Sequence, residues 1–274
     1  TVIMAMMTKS QPFIKWVGGK RSLINEIFKL LPQEFNNYFE PFVGGGAVFF
    51  SLEENITKAS LSDKNSDLII TYQTIKKEPK KLVDRRREYA KNHNEDFYYS
   101  IRKKKEKELI DIAAKFLYLN KTCYNGLYRV NNSGEFNVPM GNYKNPNIIQ
   151  EENIISCSKA LQKAKITHNS FEKISPKKGD FVYFDPPYHP TSDISFTKYT
   201  KEDFSKSDQI RLANFIKKLT KMGVYIMLSN SKSAFIEDLY PKKLFKHNIV
   251  HAPRFVNCKA EKRGNVEEFL ITNY

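Results

Sequence analysis

The chain has 274 residues, of which 41% are hydrophobic and 27% charged, and carries a formal net charge of +15 at pH 7. That length accommodates one α/β domain with a smaller inserted or appended one, and the composition excludes intrinsic disorder. No apolar run is long enough to span a bilayer, and the positive charge predicts attraction to a polyanion, nucleic acid before membrane, because no basic amphipathic helix with a clean apolar stripe stands out.

Thr1 to Met7 is mildly apolar with no basic segment ahead of it, and reads as a frayed end or expression remnant, not a signal peptide. Phe13 to Lys20 is a short apolar stretch broken by Gly18-Gly19. Leu23 to Leu31 has helical spacing and is stopped by Pro32. Tyr38 to Phe42 reads as a strand running into a turn, followed by Gly44-Gly45-Gly46 and a helix over Ala47 to Glu54. Ala59 to Asp63 is a second strand ending on a carboxylate, with a helix over Ser66 to Ile75. Lys76 to Lys115, which includes Arg85-Arg86-Arg87, predicts long charged helices with thin apolar faces, continuing to Lys121. Alternating stretches on either side of Asn132-Ser133-Gly134 predict a β-hairpin. The α/β rhythm then returns: a helix over Ile154 to Ala164, strands at Lys165 to His168 and Phe181 to Phe184, and a helix over Asp208 to Thr220. A strand at Val224 to Leu228, a helix over Ser233 to Leu239 and a terminal strand at Phe269 to Thr272 complete it. This alternation predicts an α/β fold with a mostly parallel sheet covered on both faces. It is formed by residues 1–75 and 148–274 and interrupted by a basic helical and hairpin insert over 76–147.

Cys123, Cys157 and Cys258 are odd in number and far apart, which argues for free thiols in a reducing compartment, the cytoplasm, and against a disulfide frame or a zinc site. The five histidines form no recognisable metal cluster, so no metal is expected.

Chemistry concentrates in Tyr183-Phe184-Asp185-Pro186-Pro187-Tyr188. A buried strand delivers a carboxylate to its carboxyl end, where open α/β sheets bind ligands. Two prolines then forbid a helix and leave carbonyls free, and an aromatic face closes the loop. Such a site suits a planar amino group on an aromatic ring. The loop Phe42-Val43-Gly44-Gly45-Gly46 lets the backbone approach a ligand closely, and Asp63 stands where a carboxylate takes ribose hydroxyls. Gly-x-Gly-x-x-Gly and a Walker lysine are both missing, so the nucleoside cofactor is expected to be S-adenosylmethionine and not a nicotinamide or ATP.

From Pro12 to Tyr274 the chain resembles the DNA adenine methylases, adenine-N6 DNA methyltransferases that include enzymes modifying GATC. Four motifs carry the resemblance: Lys15-Trp16-x-Gly-Gly-Lys20, Phe39-Glu-Pro-Phe-Val-Gly-Gly-Gly46, Tyr124-Asn-Gly-Leu-x-Arg129 with Phe136-Asn-Val-Pro139, and Asp185-Pro-Pro-Tyr188. Their order is that of the family's alpha arrangement. The resemblance implies a Rossmann-like methyltransferase sheet with an inserted helical and β-hairpin DNA-recognition domain. It implies cofactor contacts from Trp16, Lys20, Glu40, Phe42, Gly44, Gly46, Asp63 and Asp185. Phe171 is either an apolar contact to the cofactor's adenine or ordinary core. It implies that Asp185 and the Pro186 carbonyl accept the target amino hydrogens while Tyr188 stacks on an extruded base; Ser192 to Tyr199 follows directly, and its Phe196 and Tyr199 either fold over that nucleotide or are plain packing. In DNA reading it implies Arg129 at a guanine, Leu127 and Pro139 at apolar positions, and Asn125 or Tyr124 in the space the flipped base leaves. Some relatives have a basic residue where Asn142 stands, and Lys144 is the substitute phosphate contact. Arg85 to Arg87 and Lys103 to Lys107 are either further phosphate contacts or solvated helix faces. The implied partner is duplex DNA; no stable protein partner is implied, and the role is either protection against a cognate restriction endonuclease, service in replication and repair, or part of a mobile element. The alternatives are another DNA specificity, action on RNA, a DNA-binding relative without catalysis, and, more remotely, a nicotinamide oxidoreductase.

Overall fold

The computed structural model describes residues 9–18, 20–191, 204–253 and 265–274. The readings made for Thr1 to Met7, Ser192 to Tyr199 and Cys258 lie outside the described residues. The chain divides into two compact units: Thr1–Gly19, Gly44–Glu54 and Asp63–His168 in the first, and Lys20–Val43, Asn55–Ser62 and Asn169–Tyr274 in the second.

Six strands hydrogen-bond in the second unit in the order β2-β1-β4-β5-β7-β6: β1 (Tyr38–Glu40), β2 (Ala59–Asp63, its last residue assigned to the first unit), β4 (Phe181–Phe184), β5 (Tyr225–Ser231), β6 (Lys246–Pro253) and β7 (Asn265–Thr272). β2, β1, β4 and β5 are parallel, with Tyr38 opposite Ala59 and Phe181, and Phe184 opposite Leu228. β7 runs antiparallel to both β5 and β6. The parallel strands are buried on both faces, which is why β4 is an unbroken Phe-Val-Tyr-Phe run with every residue buried. After β1 the chain adds β2 on one side, and it later returns to add β4 on the other. The carboxyl ends of β1 and β4 therefore flank the point where the strand order reverses, the usual ligand crevice of an open α/β sheet.

In the sheet, β6 and β7 depart from expectation. β6 has no counterpart in the sequence reading. Its run Lys246-His247-Asn248-Ile249-Val250 is too polar to read as a strand, and pairing with β7 forms it. β7 begins at Asn265 and not at Phe269, because Glu267 and Glu268 lie on the ladder despite their charge.

Helices of the second unit include α1 (Ile24–Lys29), α8 (Lys206–Lys221) and α9 (Ala234–Leu239). The Ser205–Asp208 capping box starts α8 two residues ahead of the expected Asp208: Asp208 N donates to Ser205 Oγ at 3.2 Å, and Ser205 N to Asp208 Oδ2 at 2.8 Å. Its buried stripe is Gln209, Leu212, Ala213, Ile216 and Leu219, packed in the core with Val182, Phe184, Ile226 and Leu228.

The first unit is helical: α2 (Ala47–Leu52), α3 (Ser66–Lys77), α4 (Pro79–Asn92), α5 (Glu95–Lys103), α6 (Leu109–Thr122) and α7 (Glu151–Leu161), followed by β3 (Ala164–His168). The basic block thus forms three moderate helices, not long ones. Arg86 belongs to neither class expected of it. It is fully buried and donates from Nη1 to the Ile149 carbonyl at 3.0 Å, while Arg85 pairs with Asp111 at 3.3 Å and Arg87 with Glu151. The hairpin is also less regular than expected. Its turn closes through Gly134 N to Asn131 O at 2.9 Å, with Gly134 left-handed (φ 78°). The pairing is confined to single bridges, Val130 with Phe136 and Cys123 with Met140. Cys123 and Cys157 are free and buried.

Gly46 caps α2 with φ 76°, and a Cβ there would lie 2.5 Å from the Tyr72 hydroxyl and 2.9 Å from the Phe50 ring. Gly46→Ala should therefore destabilise the protein by roughly 1–2 kcal/mol from the left-handed backbone and by a further 1–3 kcal/mol, roughly, from overpacking. Urea unfolding measures this; a loss below about 0.5 kcal/mol, the scale of a neutral surface change, would contradict the packing described.

Candidate active site

Asp185 follows the last residue of β4 directly. Its side chain is 19% exposed, and the Lys20 ammonium lies 3.1 Å from Oδ1. That contact is an ion pair whose alignment does not make a hydrogen bond, so the buried Oδ1 remains without an aligned donor. Burial raises the Asp185 pKa to about 6, with Lys20 opposing the rise and the Glu268 charge adding to it. Lys20 is itself buried and lies over the Tyr188 ring, 4.2 Å from its centroid. The sequence placed Lys20 at the cofactor; in the structure its described contacts are Asp185 and Tyr188.

The Tyr188 hydroxyl donates to Glu268 Oε2 at 2.9 Å, and burial pushes its pKa well above the ordinary phenol value, which keeps it a neutral donor. Pro186 is buried between Asp185 and Pro187, and no described residue donates to its carbonyl. At the end of β1, Glu40 is buried and accepts from the Tyr38 hydroxyl. Phe42 and Phe171 stack at 5.6 Å, and Phe204 meets both edge-on. Phe171 is 1% exposed and packs in the core cluster, so Phe42 is the more accessible ring of the pair.

In the first unit the glycine loop is held by Asp63. Gly44 N donates to Asp63 Oδ2 at 3.1 Å and Asn65 N to Oδ1 at 3.0 Å, while the Tyr72 hydroxyl donates to the Gly44 carbonyl at 2.8 Å. Burial raises the Asp63 pKa, and the N–H donors of Asn65, Gly44 and Lys64 resist it. Trp16 lies against the loop: a Cβ on Gly44, whose φ is 49°, would come within 2.7 Å of its indole. Tyr128 and Phe116 flank Trp16 at 5.3 and 6.1 Å. A carboxylate, a left-handed glycine pair and an indole edge fit a nucleoside, since each Asp63 oxygen keeps a lone pair beyond the backbone bond it accepts.

The residues assigned to DNA reading stand on the surface of the first unit. Tyr124, Asn125, Leu127, Arg129, Pro139 and Lys144 are all exposed, with Asn125 left-handed at φ 54°. Tyr124 N donates to the Pro139 carbonyl at 2.8 Å, which ties the two motif segments together. Arg129 is oriented by Asn137, through Nε to Oδ1 at 2.7 Å and Nη2 to the carbonyl at 3.2 Å.

Three residues around the Asp185 loop escaped the sequence reading: Gln209, Asn230 and Glu268. Asn230 lies past the apolar run of β5, between Ser229 and Ser231, yet is fully buried, and Gln209 occupies the apolar stripe of α8, at the i, i+3 spacing from Leu212. A polar residue at a position that should be apolar was the available signal.

The second unit presents a carboxylate after a buried strand and a proline-stiffened loop ending in an aromatic ring, and the first a glycine loop held by a carboxylate, features that an α/β methyltransferase presents. A family model for "D12 class N6 adenine-specific DNA methyltransferase" matches residues 16–254, and the chain belongs to this family. The chain is 42% identical to the Type II methyltransferase M1.LlaDCHI of Lactococcus lactis subsp. cremoris, covering 96% of this chain and 95% of that one. It is 44% identical to the Type II methyltransferase M.MjaIII of Methanocaldococcus jannaschii over 96% and 99%, and 34% identical to the DNA adenine methylase of Vibrio cholerae over 96% of each. The chain is accordingly a site-specific adenine DNA methyltransferase with the α/β fold of that class.

The burial of Asp185 is measurable without turnover. A carbon NMR titration, assigned by difference against Asp185→Asn, should place its midpoint near 6. Since Lys20 favours the ionised form, Lys20→Met should move the midpoint up by about 1 unit or more. An unchanged midpoint would remove Lys20 from the electrostatics of the site.

Proposed function

We propose that this enzyme transfers a methyl group from S-adenosylmethionine to N6 of adenine within GATC in duplex DNA. The observation that carries the chemistry is the largely buried Asp185 carboxylate at the end of β4, paired with Lys20 through Oδ1 and followed by the Pro186 carbonyl, to which no described residue donates. The amino nitrogen of adenine is a poor nucleophile because its lone pair is delocalised into the ring. Two acceptors, Asp185 and the Pro186 carbonyl, take one amino hydrogen each, draw the nitrogen toward tetrahedral geometry and free the lone pair. Asp185 also stabilises the positive charge that develops on nitrogen. S-adenosylmethionine supplies the electrophilic methyl group. Trp16, Glu40, Phe42, Gly44, Gly46 and Asp63 would hold it, with Asp63 at the ribose.

A base stacked in a duplex is out of reach, so the target adenine swings out and Tyr188 stacks on it. Residues 76–147 form the recognition part, and 1–75 with 148–274 the catalytic part. Arg129 reads a guanine through its fork of donors, Leu127 and Pro139 present apolar surface, Tyr124 or Asn125 fills the vacated space, and Lys144 meets phosphate. GATC is supported by the joint presence of Leu127, Arg129 and Pro139 in the motif that resembles the DNA adenine methylases. The Type II names of the relatives favour a role beside a restriction endonuclease, in the cytoplasm.

Single-molecule sequencing of DNA from a methylation-free host expressing the chain tests base and sequence together, and a methylated motif other than GATC ends the specificity reading. Asp63→Ala should weaken S-adenosylhomocysteine binding in calorimetry while leaving DNA affinity near wild type. A variant that binds the product normally would move the ribose contact elsewhere.

Arg129→Ala should lose roughly 1–3 kcal/mol of discrimination at one base pair, scored by initial rates on duplexes each altered at one position of GATC. A uniform drop across the panel would make Arg129 a backbone contact.

A further inference from the structure

The loop Asp185 to Tyr188 contains two prolines, so Pro186 and Pro187 offer no N–H with which to fix its course. Other elements supply the restraint. Gln209 of α8 donates from Nε2 to the Pro187 carbonyl at 2.9 Å, and its Oε1 accepts from Asn230 Nδ2 of β5 at 3.1 Å. Asn230 Oδ1 in turn accepts from His189 N at 3.1 Å and Ser231 N at 2.8 Å. Both amide side chains belong to fully buried residues. At the far end of the ring, Glu268 of β7 accepts from the Tyr188 hydroxyl at 2.9 Å. The carbonyl before Tyr188, the N–H after it and its hydroxyl are thus each held, by three different elements. A leucine at 209 would fill the stripe of α8 without burying an amide, so packing does not account for Gln209.

We propose that Gln209, Asn230 and Glu268 are positioning residues for methyl transfer. They fix the Tyr188 ring in the plane the extruded adenine must meet, and they keep the Pro187 carbonyl engaged, so that it does not compete with Asp185 and Pro186 for the amino hydrogens. The inference rests on the reading of Tyr188 as the stacking residue. Gln209 and Asn230 act as one unit, because Asn230 holds the amide of Gln209 in the orientation that points Nε2 at the loop.

The test uses the full chain and a GATC duplex in which 2-aminopurine replaces the target adenine in one series. Gln209→Leu and Glu268→Ala should lower the single-turnover methylation rate about tenfold or more, since a misplacement of 1 Å can cost ~10²-fold. Their DNA affinity should stay near wild type, and the fluorescence of the extruded 2-aminopurine should rise as stacking on Tyr188 is lost. Glu268→Gln, which retains an acceptor for the hydroxyl, should recover most of the rate. Leu219→Ala, on the same helix as Gln209 but away from the loop, should lower the melting temperature and leave the rate near wild type. The proposal is overturned if Gln209→Leu and Glu268→Ala turn over normally, or if Leu219→Ala slows the reaction as much as they do. Tyr188→Ala separates the two levels: normal methylation by it removes the stacking role itself, whereas a slow Tyr188→Ala beside a normal Gln209→Leu overturns the positioning alone.

Discussion

The ion pair between Lys20 and Asp185 is the constraint around which this active site is arranged. A carboxylate held at the end of a buried strand loses hydration, and the charged form pays for it. The rise of the Asp185 pKa from 3.8 to about 6 amounts to about 3 kcal/mol at 1.36 kcal/mol per unit. Without the nearby ammonium the rise would be larger, and Asp185 would be partly protonated near neutrality, a donor where the proposed chemistry requires an acceptor. With it, the carboxylate dominates at pH 7 by roughly ten to one. Lys20 approaches only Oδ1 of the carboxylate, and a carboxylate offers about four lone-pair sites over its two oxygens, so acceptor capacity remains beside the ion pair. The arrangement favours charge and leaves acceptor sites free.

That economy depends on the loop keeping its course, and the loop depends on the sheet. β4 is central, hydrogen-bonded to β1 on one side and β5 on the other, and all four of its residues are buried. Its carboxyl end is therefore fixed by two ladders before the loop begins. Beyond Phe184 the ladder stops and the prolines add no donors. Side chains from α8, β5 and β7 take over, and each spends polar groups inside the protein to do so. A buried polar group left unpaired costs roughly 1–3 kcal/mol. The relay from Pro187 through Gln209 and Asn230 to His189 is stable only as a connected whole, which makes the geometry at Tyr188 sharply defined.

What the sequence disclosed follows the same division. The strands at Phe181 to Phe184 and Val224 to Leu228 were legible because parallel strands buried on both faces are near-continuous apolar runs. The site motifs were legible because glycine and proline act through local backbone conformation, which a short stretch of sequence encodes. β6 was not legible: its residues are polar, and its strand character comes from a partner distant in the chain. Arg86 looked like one of three arginines that either meet phosphate or face solvent, and only the tertiary position of Ile149 made it a buried donor. Lys20 was placed by motif, but its partner, Asp185, lies 165 positions on, and no local pattern links them. Asn230 and Glu268 were missed for that same reason, while Gln209 carried a local signal as a polar residue in the apolar stripe of α8.

The surface proposed to read DNA obeys a different economy from the Asp185 loop. The residues proposed to read the bases are exposed, and exposed arginines lose side-chain entropy when they bind, a cost of up to about 2 kcal/mol. Asn137 reduces that cost for Arg129 in advance. Two of the five N–H groups of the guanidinium are engaged by Asn137, and three remain. A guanine edge requires two donors in a fork, so the restraint leaves enough for recognition while limiting the directions in which the fork can point. The bonds of Asn137 come from the same chain and are already made before any ligand arrives, so preorganisation here costs no acceptor on the DNA. At the catalytic loop, burial enforces geometry and an ion pair corrects the electrostatics; at the surface, a neighbouring amide enforces geometry and leaves the charge intact for the phosphate-rich partner that the net charge of +15 attracts.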